Sequence, residues 1–143
     1  IPEVPMSSLR DAGAELFRRE YDLDTPLVGL PAIANLCNAL LADALRSQAQ
    51  SIRLVSTDPQ LGNVEYDISS EWRVIAQVPH QPFGAFINRL KVMSALDIGR
   101  VPVQEGELHV RLSGQLHMLK IRTEATSAPY ELVTITGLPG GTA

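Results

Sequence analysis

The sequence predicts an α+β domain in which two long helices cover one face of an antiparallel sheet of about six strands. Apolar residues recur at helical spacing in two stretches, residues 33–45 and 83–93, and six short segments alternate apolar and polar residues as strands do. The strand segments come in two sets of about three, and no strand is followed by a glycine-rich turn that opens a helix. This order argues against a doubly wound parallel sheet.

Length and charge restrict the partners that the chain can have. It contains 143 residues, 45% of them hydrophobic and 20% charged, which suits one globular domain. The formal net charge is −4, and the lysine and arginine residues are scattered along the sequence. An acidic chain without a basic cluster has no general field that would gather nucleic acid, so no nucleic-acid partner is expected.

Cys37 is the only cysteine, so no intrachain disulfide can form. It lies within an apolar helical stripe, which favours a buried, inert thiol over a nucleophile or a metal ligand. The sequence contains no run of about 18 apolar residues and no charged-then-apolar signal peptide. We therefore expect a cytoplasmic domain that does not insert into a membrane.

Residues 1–24 are predicted to form a leader with one short helix, ahead of a main domain at 25–138 and a flexible tail at 139–143. A serine at position 7 or 8 can accept a hydrogen bond from a first-turn amide. Apolar residues then follow at helical spacing up to about Glu20: Leu9, Ala12, Leu16 and Phe17. The last residues, GLPGGTA, have the composition of a flexible linker.

One strand pair in the second half of the chain predicts which residues face the core. A two-residue turn at positions 113–114 would place Val110 opposite His117 on the core face. Leu116 and Met118 would then point to the other side of the sheet. Either they form an apolar strip that binds a protein partner, or they pack under the first helix.

The stretch from Phe83 to Gly106 is the most specific part of the sequence. Its apolar residues follow one side of a helix: Phe83, Phe86, Ile87, Leu90 and Met93. The text INRLKVMSALDI, followed by Q-E-G, closely resembles the domain just before the motor in the type II secretion and type IV pilus assembly ATPases. The family pattern reads roughly I-x-R-[IL]-K-[VI]-M-[AS]-x-L-D-I, a few residues, then R-x-P-Q-D-G-R. The resemblance covers about Thr25 to Leu138 and implies a PAS-like arrangement of helices and sheet.

The charged motifs of this chain depart from the family pattern. Where the family has a strand beginning A-S-D-I-H, Ser51 and Arg53 replace the aspartate and the histidine. Where the family has a hairpin R-Y-R-I-D-G, Glu65 and Asp67 replace the two arginines, and the serines at 69–70 replace the aspartate-glycine turn. We expect a hairpin that keeps its shape while its charge is inverted.

Nucleotide hydrolysis is not expected of this chain, so it is not predicted to be an enzyme. A phosphate-binding loop is written G-x-x-x-x-G-K-[ST], and no stretch of the sequence fits it. The resemblance implies, however, that arginines of the pre-motor domain reach nucleotide bound on the motor domain. Arg100 matches such an arginine only if a gap is admitted, and Glu107 stands where the family has another. Either Arg100 contacts nucleotide in trans, or this segment is a surface loop with no phosphate role.

The remaining polar candidates carry weaker signals. His80, His109 and His117 are separated by long gaps or lie on different strand faces, so we expect no metal site and no cofactor. Trp72 alternates with Val74 at strand spacing, which favours a core position over a stacking platform.

The resemblance implies a non-catalytic domain for protein interaction and assembly in a secretion or pilus ATPase relative. Arg89, Lys91 and Arg100 are the expected charged contacts to a motor domain, to another secretion component or to a second copy in a homo-oligomer. Two alternatives remain open: a small-ligand sensor of the PAS type, and a fragment of an active ATPase whose motor lies beyond residue 143. Because the chain begins at Ile1 rather than methionine, neighbouring domains are expected outside it.

Overall fold

Seven strands and two α-helices are found in the computed structural model, which describes residues 20–99, 101–126 and 130–141. The strands are β1 (Glu20–Asp22), β2 (Ser51–Ser56), β3 (Leu61–Ile68), β4 (Glu71–Pro79), β5 (Val103–Leu112), β6 (Gln115–Glu124) and β7 (Leu132–Thr136). The helices are α1 (Ala32–Arg46), between β1 and β2, and α2 (His80–Met93), between β4 and β5. A short 3₁₀ helix follows at Pro139–Gly141.

All described strands join one sheet in the order β1-β5-β6-β7-β2-β3-β4. Neighbouring strands are antiparallel except β1 and β5, which are parallel. The predicted α+β class and the largely antiparallel sheet are confirmed, but the expected number of about six strands is too low. The additional strand, β1, lies within the predicted leader. It has three residues, too few for a period of two to be visible in the sequence.

The core lies between the two helices and one face of the sheet. Alternate strand residues face it and are almost fully buried: Ile52, Leu54, Val64, Tyr66, Leu108, Val110, Leu119, Ile121, Val133 and Ile135. The predicted stripe of α2 packs on them and is buried along its whole length: Phe83, Phe86, Ile87, Leu90 and Met93. Both helices therefore cover the same face, as predicted. No element of the described residues covers the other face, which is termed here the open face.

Helix α1 buries a face that is rotated from the predicted one. The apolar spacing over residues 33–45 predicts that Leu36, Cys37 and Ala44 share the buried face; Cys37 and Ala44 are buried, but Leu36 is 52% exposed. The small residues Ala34 and Ala42 occupy the buried face in its place. Alanines at a contact let a helix approach its neighbour closely, and an apolar pattern alone does not reveal that preference.

Two hairpin turns keep their residues in the left-handed region of backbone conformation. Ser113 and Gly114, with φ of 51° and 79°, join β5 to β6. Ser69 and Ser70, with φ of 55° and 62°, join β3 to β4. Two successive positive φ values give the tight turn that matches the twist of antiparallel strands. The second hairpin therefore keeps its shape without the aspartate-glycine pair.

The chain after β7 packs against the turn between α1 and β2. Leu138 is buried, and a Cβ atom on Gly140 would stand 2.2 Å from the carbonyl oxygen of Gln48. No side chain can be accommodated at that distance from backbone. The predicted flexible tail therefore begins with the 3₁₀ helix at Pro139–Gly141, in which Gly140 is in close contact with backbone. The predicted N-terminal helix falls on residues 1–19, outside the described residues.

Candidate functional site

The predicted partner contacts that the structure describes lie on two different elements. Arg89 and Lys91 lie on α2, whereas Leu116 and Met118 lie on β6. Arg100, the predicted nucleotide contact, is outside the described residues. Each described candidate therefore has its own surroundings and its own chemistry.

Lys91 is buried inside the domain. Its side chain is 1% exposed and forms an ion pair with Glu131, the residue before β7, which is 7% exposed. Its Nζ atom also donates hydrogen bonds to the carbonyl oxygens of Ile98 at 3.4 Å and Gly99 at 3.3 Å. An ammonium group has three donors, and the domain itself uses all of them. Lys91 was predicted to be a charged contact to a partner protein, but its buried ammonium group is not accessible to one.

The segment 96–99, termed here the α2–β5 loop, is fixed by side chains on either side of it. The Gln104 side chain accepts a hydrogen bond from the Asp97 amide and donates one to the Asp97 carbonyl oxygen, both at 2.9 Å. Lys91 holds the other end of the loop through the two carbonyl groups described above. The tip nevertheless lies in solvent, with Ile98 55% exposed. An exposed loop with a fixed backbone is a preorganised surface for binding.

Arg89 lines a shallow, mainly apolar cleft of about 290 Å³ between α2 and the start of α1. The other lining residues are Leu30, Pro31, Ile33, Ala34, Ala85, Asn88 and Val92. The guanidinium carbon of Arg89 lies 5.5 Å from the centre of the Tyr21 ring, within cation–π range. Its Nε atom is buried and has no hydrogen-bond partner in the part of the chain that the structure describes. A partner cannot reach that buried atom, but the half-buried side chain also lines the surface cleft, so Arg89 remains a candidate contact.

Leu116 and Met118 lie on the sheet face opposite the helices. The strand register places Val110 opposite His117, as predicted, and therefore turns Leu116 and Met118 away from the core. Met118 is 65% exposed, and Leu116 is half-buried. The alternative in which the first helix covers these residues concerns positions 1–19, outside the described residues.

The open face of the sheet carries exposed ion pairs. Arg122 donates to Glu124 Oε1 at 2.9 Å and to Glu105 Oε1 at 2.5 Å, and these hydrogen bonds raise the pKa of Arg122. A cleft of about 640 Å³ lies beside them, lined also by Gly106, Glu107, Lys120, Ile121, Thr134 and Thr136. Because acidic and basic groups alternate here, this surface has no strong preference for an anion or a cation.

Two departures from the family pattern meet on the open face. Arg53 on β2 lies directly opposite Glu65 on β3 and donates to its Oε1 at 2.7 Å. The exchanged charges therefore form a cross-strand ion pair. The Arg53 guanidinium also lies 4.0 Å above the ring of Trp72, which is 38% exposed. The predicted core position of Trp72 is wrong, because this residue of β4 pairs with Asp67 on the open face.

Cys37 has the properties of a structural thiol. It is fully buried, and its Sγ lies 3.8 Å from the carbonyl oxygen of Phe86. Burial raises the pKa of the thiol to about 12, so the nucleophilic thiolate does not form near neutral pH.

Neither a metal site nor a membrane-spanning helix is found among the described residues. In these residues, no group of three or more histidine, cysteine, aspartate or glutamate side chains could hold a metal ion. Neither of the described helices has the length and apolar character needed to cross a membrane.

The matched segment runs from the loop before α1 to the end of β7. The sequence profile of the family described as "Type II/IV secretion system protein" matches residues 27–136, well over half of the chain. This chain belongs to that family. A curated relative, "Type II secretion system protein E" of Pseudomonas aeruginosa, is 27% identical over 106 residues. The alignment covers 73% of this chain and 20% of the relative, so the chain spans about a fifth of that protein's length.

Two residues that shape the candidate loop were not singled out from the sequence. Gln104 lies in the Q-E-G text that carries the resemblance, and its spacing from Asp97 gave no sign of a two-way hydrogen bond. Glu131 is 40 positions from Lys91, and no local pattern connects the two. The sequence offered one signal for this contact: Lys91 lies among the apolar residues of α2. A buried ammonium group needs an acidic partner.

Proposed function

We propose that this domain is a non-catalytic interaction and assembly module of a secretion-ATPase relative, acting in the cytoplasm. It would bind a motor domain or another secretion component through its surface and would not hydrolyse nucleotide itself. The observation that carries this proposal is the α2–β5 loop. The loop is exposed at its tip and fixed in its backbone, and it lies inside the segment that the family profile matches.

Nucleotide contact in trans is a subsidiary part of the proposal. Arg100 follows the fixed loop directly in the sequence, and its resemblance to an arginine of the family pattern makes it the candidate for nucleotide contact. A guanidinium that offsets phosphate charge in the transition state can be worth a factor of about 10³ or more in rate. Glu107 disfavours such a contact, because a carboxylate near the outer phosphates would repel them.

The small-ligand sensor is the less favoured alternative. A sensor of that kind needs a cavity with converging polar groups between helices and sheet. In the described residues, that space is filled by a cluster of apolar side chains that are each 9% exposed or less. The clefts described above lie at the surface, on the open face and beside Arg89.

Calorimetry tests the proposal with purified, full-length type II secretion system protein E of Pseudomonas aeruginosa as the probe. We expect saturable binding of this chain to the probe both with and without magnesium ATP, and no heat when the chain is mixed with magnesium ATP alone. Arg89→Met should weaken the complex, whereas Arg73→Met, which removes an exposed arginine from β4, should leave it unchanged. No binding in either nucleotide state would overturn the assembly role.

A further inference from the structure

The buried ion pair between Lys91 and Glu131 joins three separate parts of the chain. Lys91 lies near the end of α2, Glu131 precedes β7, and the two carbonyl groups that Lys91 also binds belong to the α2–β5 loop. The Leu96 amide adds a hydrogen bond of 2.8 Å to the Lys91 carbonyl oxygen. One residue therefore contacts the loop through both its backbone and its side chain.

Stability alone does not explain why a lysine occupies this position. Removing two charges from water is costly, and apolar residues of similar volume often replace a buried ion pair without loss of stability. An apolar side chain at position 91 would fill the same space, but it could not donate hydrogen bonds to the carbonyl groups of Ile98 and Gly99. The distinctive effect of the ammonium group is thus on the conformation of the loop.

The loop that Lys91 holds has the character of a contact surface. Its tip residue Ile98 is 55% exposed, and Val103 at the start of β5 is 47% exposed. Exposed apolar side chains on a fixed backbone bind a complementary apolar pocket with little loss of conformational entropy. A mobile loop with the same side chains would lose that freedom on binding and would bind more weakly.

We propose that Lys91 and Glu131 are positioning residues that fix the α2–β5 loop so that Ile98 can enter an apolar pocket on a partner protein. The identity of the partner as a secretion ATPase rests on the proposed function above. The positioning itself does not, because it can be measured on this chain alone.

The decisive variant is K91M/E131M, which removes both charges and keeps comparable side-chain volume. It should fold, since it leaves no unpaired charge in the interior. The matched control is Leu54→Ala, which truncates a buried residue of β2 and lowers stability without touching the loop. Ile98→Ala serves as the test of the apolar contact.

Hydrogen exchange of the isolated proteins gives the first readout. In K91M/E131M the Leu96 and Asp97 amides keep their own acceptors, the Lys91 carbonyl oxygen and the Gln104 side chain. We expect them to exchange about tenfold faster or more, because the loop opens more often once the charge-assisted hydrogen bonds of Lys91 are lost. Amides in the centre of β6 should keep their wild-type protection. Leu54→Ala should not selectively loosen the loop. Unchanged loop exchange in the double variant would overturn the positioning role.

Binding to full-length type II secretion system protein E of Pseudomonas aeruginosa gives the second readout. K91M/E131M and Ile98→Ala should each raise the Kd by about tenfold, whereas Leu54→Ala should not. A loosened loop with unchanged Kd would overturn the contact surface. If the wild-type chain does not bind the probe, the proposed function and the contact assignment both fail, and loop exchange still decides whether Lys91 positions the loop.

Discussion

The two sides of the sheet hold similar ion pairs in opposite surroundings. On the side of the helices, Lys91 and Glu131 are almost completely buried. On the open side, Arg122 is 45% exposed and contacts two exposed glutamates. A buried pair becomes costly when one partner is removed, whereas an exposed pair is screened by water and salt. The buried pair thus fixes the backbone of the α2–β5 loop, whereas the exposed side chains around Arg122 can form ion pairs with a partner protein instead.

The largest effect is expected from Lys91→Met, which breaks the buried pair. The free energy of unfolding should fall by about 3–5 kcal/mol, because Glu131 is left as an uncompensated buried carboxylate. Urea denaturation followed by circular dichroism measures this loss. The variant K91M/E131M should recover most of it. A single variant as stable as the wild type would mean that Glu131 finds water or another cation.

A smaller effect is expected from Gly62→Ala, which probes packing on the covered side. A Cβ atom at this position would lie 2.3 Å from the Phe83 ring, so the ring or the strand must move. Overpacking of this kind costs about 1–3 kcal/mol. Gly99→Ala is the control, because its Cβ would meet no atom within 4 Å. Equal unfolding midpoints for the two variants would show that the covered side is less tightly packed than described.

Tyr66→Phe tests a polar contact at the edge of the covered side. The Tyr66 hydroxyl lies 2.9 Å from Asp43 Oδ2, and its loss should lower the free energy of unfolding by about 0.5–1.5 kcal/mol. Burial, and then the contact with Asp43, raise the pKa of Tyr66 above its ordinary value of 10.0. The native state therefore keeps the proton longer than the unfolded state does. The contribution of Tyr66 to the free energy of unfolding should therefore be fully present below pH 10.0 and decrease as the pH rises above that value.

The phenylalanine variant should lack the part of that alkaline loss that comes from Tyr66. Denaturation midpoints of both proteins, compared at neutral pH and above pH 10.0, isolate this contribution. If both proteins lose stability in parallel above that pH, the Tyr66 hydroxyl is not the group responsible.

The smallest effect is expected from Arg122→Gln on the open side. Its contacts with Glu105 and Glu124 are exposed, so the midpoint of urea denaturation should shift by no more than the error of the measurement. Raising the salt concentration should reduce any difference further. A loss comparable to that of Lys91→Met would remove the distinction between the two sides.

The elements that could be predicted are those whose apolar residues repeat at a regular local spacing or whose turn residues lie next to each other in the sequence. The α2 stripe repeats at helical spacing from Phe83 to Met93, and the β5–β6 hairpin has a turn whose residues fix its register. Strand β1 could not be predicted, because three residues do not show an alternation. Trp72 was misplaced because alternation separates the two faces of a strand but does not identify the face that the helices cover.

The candidate site could be predicted only in part, for a similar reason. Arg89 and Lys91 stood out as charged residues on an apolar helix, but their surroundings depend on contacts far away in sequence. Lys91 is buried because Glu131 arrives beside it through the order of the strands. Resemblance identified the family and the segment, and only the fold could distinguish an internal cation from an external one.

The exchanged charges of Arg53 and Glu65 have a consequence for protein engineering. These two positions face each other across one strand pair. A substitution at only one of them would either place two like charges opposite each other or leave the remaining charge without its partner. A chimera whose junction falls between β2 and β3 would combine Arg53 with the arginine of the family pattern and destabilise the hairpin. Recombination within this family should therefore transfer both strands as one block, and the two positions should co-vary among its members.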